Sequence, residues 1–181
     1  MTYVSLFKGI NVGGKNIVKM AELKQMLSKL GFQNVKTYIQ SGNAMFDSCD
    51  TPDKIKENIK TAFQNTFNFE SNFVLQTKDN LDTIIKSLPF PKEKLDKAAA
   101  ATPDVEHLYF YFTDNTPSAS DVDALNSSCE SPDMLSACTH GVYLLCHDSV
   151  RNSKLAIALA KKQASATARN WKTLNKLFEM M

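Results

Sequence analysis

The stretch VKTYIQSGNAMF, residues 35–46, decides the fold. Its ends, "VKTYI" and "AMF", are short runs of β-forming residues. The "QSGN" between them centres on Ser-Gly-Asn, which is strong turn chemistry. Two strands joined by so short a connection pair antiparallel. Upstream, Met20, Leu23, Met26, Leu27 and Leu30 recur at helical spacing, and Gly31 follows as the stop. Further upstream, "TYVSLF" (residues 2–7) reads as a strand. Downstream, Ile55, Ile59, Ala62 and Phe63 give residues 53–67 a helical period, and "NFVLQT" (residues 72–77) closes the set as a strand. The resulting order, βαββαβ, is the split unit of ferredoxin-like folds.

A connector follows. Residues 80–88 form a short helix ended by Pro89 and Pro91, and "KEKLDKAAAATP" favours helix up to Pro103. Then the pattern restarts. "HLYFYF" (residues 107–112) is a strand, and residues 118–125 make a short helix after Pro117. "MLSAC" and "VYLLC" are strands joined at His140-Gly141, and "SKLAIALAKK" is a second helix. A further helix is expected from about residue 168 to 181, where a last strand would complete the copy. The chain therefore reads as an α+β protein of two ferredoxin-like halves with an extra C-terminal helix. Residues 1–78 form the first half, 79–104 a helical connector and 105–181 the second half. Tyr109 and Tyr111 share one face of their strand and are expected to cover a core between the domains.

Length and composition narrow the class. The chain has 181 residues, of which 43% are hydrophobic and 22% charged, the balance of a soluble globular protein. Its longest apolar runs, such as "GVYLLC", are too short to cross a bilayer, and "YVSLF" meets Lys8 before any secretory pattern develops. A cytoplasmic location with no membrane partner is expected. Cys49, Cys129, Cys138 and Cys146 show no disulfide-framework spacing and are expected to be reduced. The net charge of +2 is unevenly spread. Residues 1–78 carry ten Lys against six acids, residues 79–150 four Lys against twelve acids, and residues 151–181 seven Lys or Arg against Glu179 alone. Either the basic ends meet an anionic partner, or the tail folds back on the acidic middle.

"LFKGINVGGKNIVKM", residues 6–20, holds three of the six glycines. From Gly9 it reads G-x-x-x-x-G-K, one hydroxyl short of a nucleotide-binding P-loop. Asn16 occupies the position of the Mg²⁺-ligating hydroxyl, for which an amide is a poor replacement. A P-loop also runs directly into a helix whose first amides cradle phosphate, whereas "NIVK" separates Lys15 from the first helical periodicity. An NTPase is not expected. A weaker property survives, because Gly13 and Gly14 let the backbone approach a ligand closely and Lys8 and Lys15 add positive charge. The same glycines also suit a plain tight turn.

"LFKGINVGGKNIVKMAELKQMLSKLGFQNVKTYIQSGNAMF" closely resembles the opening of the bacterial family catalogued as domain of unknown function 1697. "RNSKLAIALAKKQASATARNWKTLNKL" resembles that family's closing segment, whose core reads T-x-R-N-W-x-T-x-x-K-L. "PFP" and "VYLL" also sit where the family has them. The resemblance implies no settled activity, cofactor or substrate. The family usually has Arg at the position of Lys8, which weakens a bidentate phosphate role there. It commonly has Pro at the position of Lys19, which implies a helix beginning near that residue.

The remaining signatures admit two uses. On a helix, Trp171, Leu174 and Phe178 share one face, and Arg169, Thr173 and Lys176 another, with Thr167 a plausible N-cap. One use is an amphipathic helix anchored by Trp171. The other sets Arg169, Asn170 and Lys176, with Arg151 and Lys154, as a polar wall facing the glycine loop, Arg being suited to bidentate capture of phosphate or carboxylate. "QSGN" serves first as a turn, yet Gln40 and Asn43, like Asn11, carry amides that both donate and accept.

No metal is expected. Cys138, His140, Cys146 and His147 lack C-x-x-C spacing, and alternation puts Cys146 and His147 on opposite faces. No nucleophile is identifiable and none of His107, His140 and His147 lies in a signature block, which leaves only Asp or Lys as a general base; an enzymatic role stays open and no cofactor is assigned. RNA-recognition modules share the βαββαβ order, but "NAMFDS" lacks their basic-aromatic signature, and the half carrying "HLYFYF" is acidic.

The functional expectation is a site for a small anionic ligand, phosphate-bearing or nucleotide-like, made by the glycine loop, the "QSGN" turn and the "RNW" helix start. Lys8, Lys15, Arg169 and Lys176 neutralise charge in it. Asn11, Gln40, Asn43 and Asn170 orient the ligand, and Gly13 and Gly14 admit it. The alternative is a non-catalytic module that binds nucleic acid or protein through the basic ends.

Overall fold

The computed structural model describes residues 1–113 and 115–181. It contains seven helices and two four-stranded antiparallel sheets among the described residues, an α+β fold in two halves. Two compact units emerge, Met1–Leu81 with Leu177–Met181, and Asp82–Lys176.

The first unit runs β1 (Thr2–Phe7), α1 (Met20–Lys29), β2 (Gln33–Tyr38), β3 (Asn43–Asp47), α2 (Pro52–Phe67) and β4 (Phe73–Thr77). Its sheet order, β2-β3-β1-β4, is that of the split βαββαβ unit, with β1 central. Tyr3 lies between Phe46 and Thr77, and Leu6 between Asn43 and Val74. The helices follow from their apolar spacing. In α1, Leu23, Met26 and Leu27 are buried at i, i+3 and i+4. In α2, Pro52 opens the first turn, where its missing N–H costs nothing, and Ile55, Ile59 and Phe63 descend one face. These six pack on Tyr3, Phe7 and Phe46 of the sheet. Ring contacts tie the layers, with Phe32 stacked on Phe46 at 4.4 Å between centroids and Phe7 on Phe63 at 5.0 Å.

The second unit repeats the plan. After α3 (Lys78–Lys86) and α4 (Lys92–Ala101) come β5 (Leu108–Phe112), α5 (Ala119–Ser128), β6 (Met134–Cys138), β7 (Gly141–Leu145), α6 (Lys154–Lys162) and β8 (Thr167–Asn170). The sheet order β6-β7-β5-β8 matches the first sheet position for position. Ser118 caps α5 by accepting from the Asp121 N–H at 3.1 Å, and the Asp121 carboxylate answers the Ser118 backbone N–H at 3.3 Å. The Ser118 hydroxyl also donates to that carboxylate at 2.6 Å, and this bond, with the one from the Ser118 N–H, holds the Asp121 carboxyl below the usual carboxylate range. Tyr111, Leu135, Val142 and Leu144 meet Val122 and Leu125 of α5 and Leu155, Ala156 and Leu159 of α6.

Four sequence expectations change here. Tyr109 and Tyr111 pack into the second unit's own core, because α5 and α6 occupy the face to which alternation sends them. The C-terminal helix, α7 (Trp171–Met180), begins three residues later than expected. Thr167–Asn170 are instead a strand, with Phe110 opposite Arg169 and Tyr109 opposite Asn170. Thr167 is thus a strand residue and not the N-cap. Asn170 does the capping, its Oδ1 accepting from the Thr173 N–H at 2.8 Å. Arg169 accordingly leaves the helix face on which it was placed with Thr173 and Lys176.

The face of the second sheet away from α5 and α6 is aromatic. Phe110 meets Phe112 and Tyr143 edge-on at 4.8 and 4.9 Å, and Tyr143 also contacts Phe90 and Trp171. The Tyr143 hydroxyl donates to the Ile84 carbonyl at 2.7 Å, satisfying a phenol that burial holds un-ionised. Tyr143→Phe should therefore cost about 1–2 kcal/mol in denaturant unfolding, the loss of one buried hydrogen bond with the ring left in place. An unchanged midpoint would show that this bond carries no stability.

Candidate anion-binding site

The glycine segment leaves the end of β1 and makes a small β-hairpin before α1 starts. Val12 and Lys15 form an antiparallel bridge, with the Lys15 N–H donating to the Val12 carbonyl at 3.1 Å. Gly13 and Gly14 between them have φ of +58° and +74°. Two successive positive values are the requirement of a type I′ turn, which only residues such as Gly or Asn meet cheaply. The Asn11 N–H donates to the Asn16 carbonyl at 3.1 Å, and Asn16 Nδ2 donates to the Gly9 carbonyl at 3.1 Å. The glycines thus turn a hairpin; they do not open a helix, and α1 begins only at Met20.

Asn11 fastens this hairpin to its surroundings. Its Nδ2 donates to the Val18 carbonyl at 2.9 Å and to the Gln40 carbonyl at 2.8 Å, while its Oδ1 accepts from the Val18 N–H at 2.8 Å. Both amide hydrogens are therefore committed to the backbone. The "QSGN" turn is pressed against the hairpin's base. The Gly42 carbonyl accepts from the Phe7 N–H at 2.8 Å. A Cβ at Gly42 would stand 2.6 Å from Ile10 Cδ1 and 2.9 Å from Phe7 Cβ, at a φ of +76°. Asn43 is fully buried, and its Nδ2 donates to the Tyr38 carbonyl and to Ser41 Oγ, both at 3.0 Å.

The glycine loop and the turn, expected to be neighbours, are thus joined within the first unit. Lys8 is half-buried where β1 ends, with its backbone held by Ser71 and Asn72. Burial lowers the Lys8 ammonium below the usual lysine range. Gly13, Gly14, Lys15 and Gln40 are exposed. This surface can offer cationic charge, glycine backbone that a ligand can approach closely, and the exposed amide of Gln40.

Arg169, Asn170 and Lys176 belong to the second unit. Arg169 is buried, and its Nη1 donates to Thr167 Oγ1 at 2.9 Å and to the Ala168 carbonyl at 2.8 Å. Removal from water lowers its guanidinium to about 10. Asn170 caps α7, and Lys176 is exposed on that helix.

Sequence reasoning missed three residues beside the hairpin. Val12, Ile17 and Ile39 are 65%, 62% and 49% exposed, three of the five conspicuously exposed large apolar side chains among the described residues. The signal was available for two of them. "VGGK" flanked by Asn11 and Asn16 is a two-residue Gly-Gly hairpin, which puts Val12 and Ile17 on a loop away from any core.

Among the described residues, no group of three or more His, Cys, Asp or Glu side chains is placed to hold a metal ion. No helix there is long and apolar enough to cross a membrane. Cys146 is fully buried, and desolvation pushes its thiol up to about 12.

A family model described as a protein of unknown function, DUF1697, matches residues 1–143, and the chain belongs to that family. No curated protein matches. Among solved structures, the chain is similar to the conserved bacterial protein SP0830 from Streptococcus pneumoniae, at 28% identity and a TM-score of 0.71. The likeness covers 99% of this chain and 97% of that one.

Asn11→Ala should lower stability by roughly 1–3 kcal/mol and speed hydrogen exchange at the Val18 amide, which loses its acceptor. Unchanged exchange there would mean that the hairpin is held by other contacts. Cys146 should resist thiol reagents in the folded protein while exposed Cys49 reacts. The thiol ionises near 9 when unfolded and about 12 when folded, so stability should fall as pH rises through that interval. Cys146→Ala should flatten this alkaline limb; equal slopes in the two proteins would contradict it.

Proposed function

We propose that this member of the DUF1697 family binds a small anionic ligand, phosphate-bearing or nucleotide-like, where the glycine hairpin meets the "QSGN" turn of the first unit. The observation that carries this reading is the Asn11 clamp, which sets a positive-φ Gly-Gly turn beside a second tight turn. Lys8 and Lys15 supply charge, and Lys8 supplies it from partly dehydrated surroundings, where an ion pair gains more than in open water. Gly13 and Gly14 carry no side chain to keep an anion from the backbone. Gln40 is the exposed amide that orients the ligand, whereas Asn11 and Asn43 act by holding the two turns in place.

The charge balance of the segment that carries the site favours the same class. Residues 1–46 contain six Lys and a single acid, Glu22, which pairs with Lys19 at 3.3 Å. The buried Arg169 and the helix-capping Asn170 are engaged inside the second unit, and the reading gives them no contact with the ligand.

Thermal melting in the presence of inorganic phosphate and of nucleoside mono-, di- and triphosphates tests the proposal. One or a few of these should raise the melting temperature at millimolar concentration, and Lys15→Ala should weaken the response about tenfold in ligand concentration. The absence of any shift across the series would remove the proposal. Binding confined to polynucleotides, falling steeply with salt and indifferent to the mononucleotides, would replace it with a nucleic-acid module.

A further inference from the structure

We infer that the glycine hairpin and the adjoining turn dock the protein on an anionic lipid surface, Val12, Ile17 and Ile39 entering the headgroup layer and Lys8 and Lys15 meeting lipid phosphates. This rests on the anion-binding reading of the same site and names the lipid headgroup as the anion.

The starting observation is where the chain exposes apolar side chains. Residues 12–17 are six consecutive exposed residues, and they begin with Val12 and end with Ile17. Ile39 is brought near them through the backbone. The carbonyls of Val18 and Gln40 both accept from Asn11 Nδ2, so Ile17 and Ile39 each sit one residue from a shared nitrogen. A soluble surface scatters such residues singly. Here three collect on two turns.

The hairpin cannot fold inward to hide them. Its two strands are bridged, its base is bonded through Asn11 and Asn16, and Ile10 beneath it is already buried against Gly42 and Phe7. The apolar side chains are held out by the same bonds that shape the loop.

The surrounding charge selects the occupant. Along the chain Lys8 and Lys15 flank the patch, and no acid occurs in residues 1–21 or 23–46; Lys19 pairs with Glu22, and Glu70 precedes the Ser71–Asn72 pair that holds the Lys8 backbone. An anionic leaflet attracts such lysines, and aliphatic side chains beside them enter the interface. A protein partner would call for different anchors, because binding hot spots favour Trp, Tyr and Arg seated in pockets. Among residues 8–19 and 39–42 there is no aromatic side chain and no Arg. β-Branched aliphatics flanking tight turns suit a deformable lipid interface. This departs from the expectation of no membrane partner, which rests on apolar runs too short to span a bilayer; the exposure of Val12, Ile17 and Ile39 is visible only in the folded chain.

Co-sedimentation of the full chain with phosphatidylcholine vesicles, with and without phosphatidylserine, tests this at low salt. Binding should require phosphatidylserine and weaken as salt is added. Val12→Ser combined with Ile17→Ser should reduce it about tenfold or more. Both positions are exposed, so the melting temperature should hold and the response to soluble phosphate or nucleotide should survive, which separates this inference from the function proposed above. Ile17→Trp should shift its emission to the blue on phosphatidylserine vesicles and not on phosphatidylcholine alone. Absence of vesicle binding, or binding untouched by the serine substitutions, would overturn the inference. So would concentration-dependent self-association that those substitutions abolish, since the patch would then be a face for a second copy.

Discussion

Three hydrogen bonds from one side chain, Asn11, fix the part of the molecule where its unusual features collect. The hairpin at Val12–Lys15 has one bridge and a two-glycine tip, too little to hold a shape in water by itself. Asn11 adds bonds to both backbone groups of Val18 and to the Gln40 carbonyl, and so ties the hairpin to the approach of α1 and to the turn between β2 and β3. Asn suits this position on two counts. Its amide donates twice and accepts, and its φ of +54° is one that Asn tolerates better than most residues. A shape that would otherwise cost conformational entropy is thereby prepaid during folding.

The steric fit around Gly42 works in the same direction. At that position both backbone conformation and space forbid a side chain, because Ile10 and Phe7 lie where a Cβ would go. Gly13 and Gly14 differ, since nothing lies within 4 Å of a Cβ built on either, and only their φ values ask for glycine. The distinction has functional weight. Gly42 lets one turn sit against another, whereas Gly13 and Gly14 leave an open, side-chain-free tip. Close packing inside and bare backbone outside fit a rigid base that presents an accessible edge.

The two sheets were legible from hydrophobic period and turn chemistry, because each strand–helix alternation spans enough residues to show a period. The turn at residues 40–43 and the helix containing Leu23, Met26 and Leu27 were read from such signals. The strand Thr167–Asn170 was not. Four residues hold only two repeats of a β alternation, and Arg and Asn run unbroken into the helical pattern of Trp171, Leu174 and Phe178. Its identity as a strand comes from its partner, β5, which lies more than fifty residues away. Tertiary pairing decided what local propensity could not. The hairpin was obscured for another reason. Its G-x-x-x-x-G-K spacing imitates a phosphate loop, while the backbone signal lies in the Gly-Gly pair itself.

The "RNW" segment shows how much structural work a short sequence signature can carry. In β8, alternation sends Thr167 and Arg169 to one buried side, and the guanidinium finds the Thr167 hydroxyl and a carbonyl there. Asn170 must end the strand and begin the helix in a single residue, which its side-chain oxygen does by capping Thr173. Trp171 then joins the aromatic face around Tyr143. Each letter of the motif has work within the second unit, at a strand-to-helix junction with no intervening loop. The hairpin residues present the opposite case. Val12, Lys15 and Ile17 contribute little to any core, yet the fold spends an asparagine clamp and a tightly packed glycine on holding them outward. Structure maintained without burial in return is the stronger indication of a surface that meets something else.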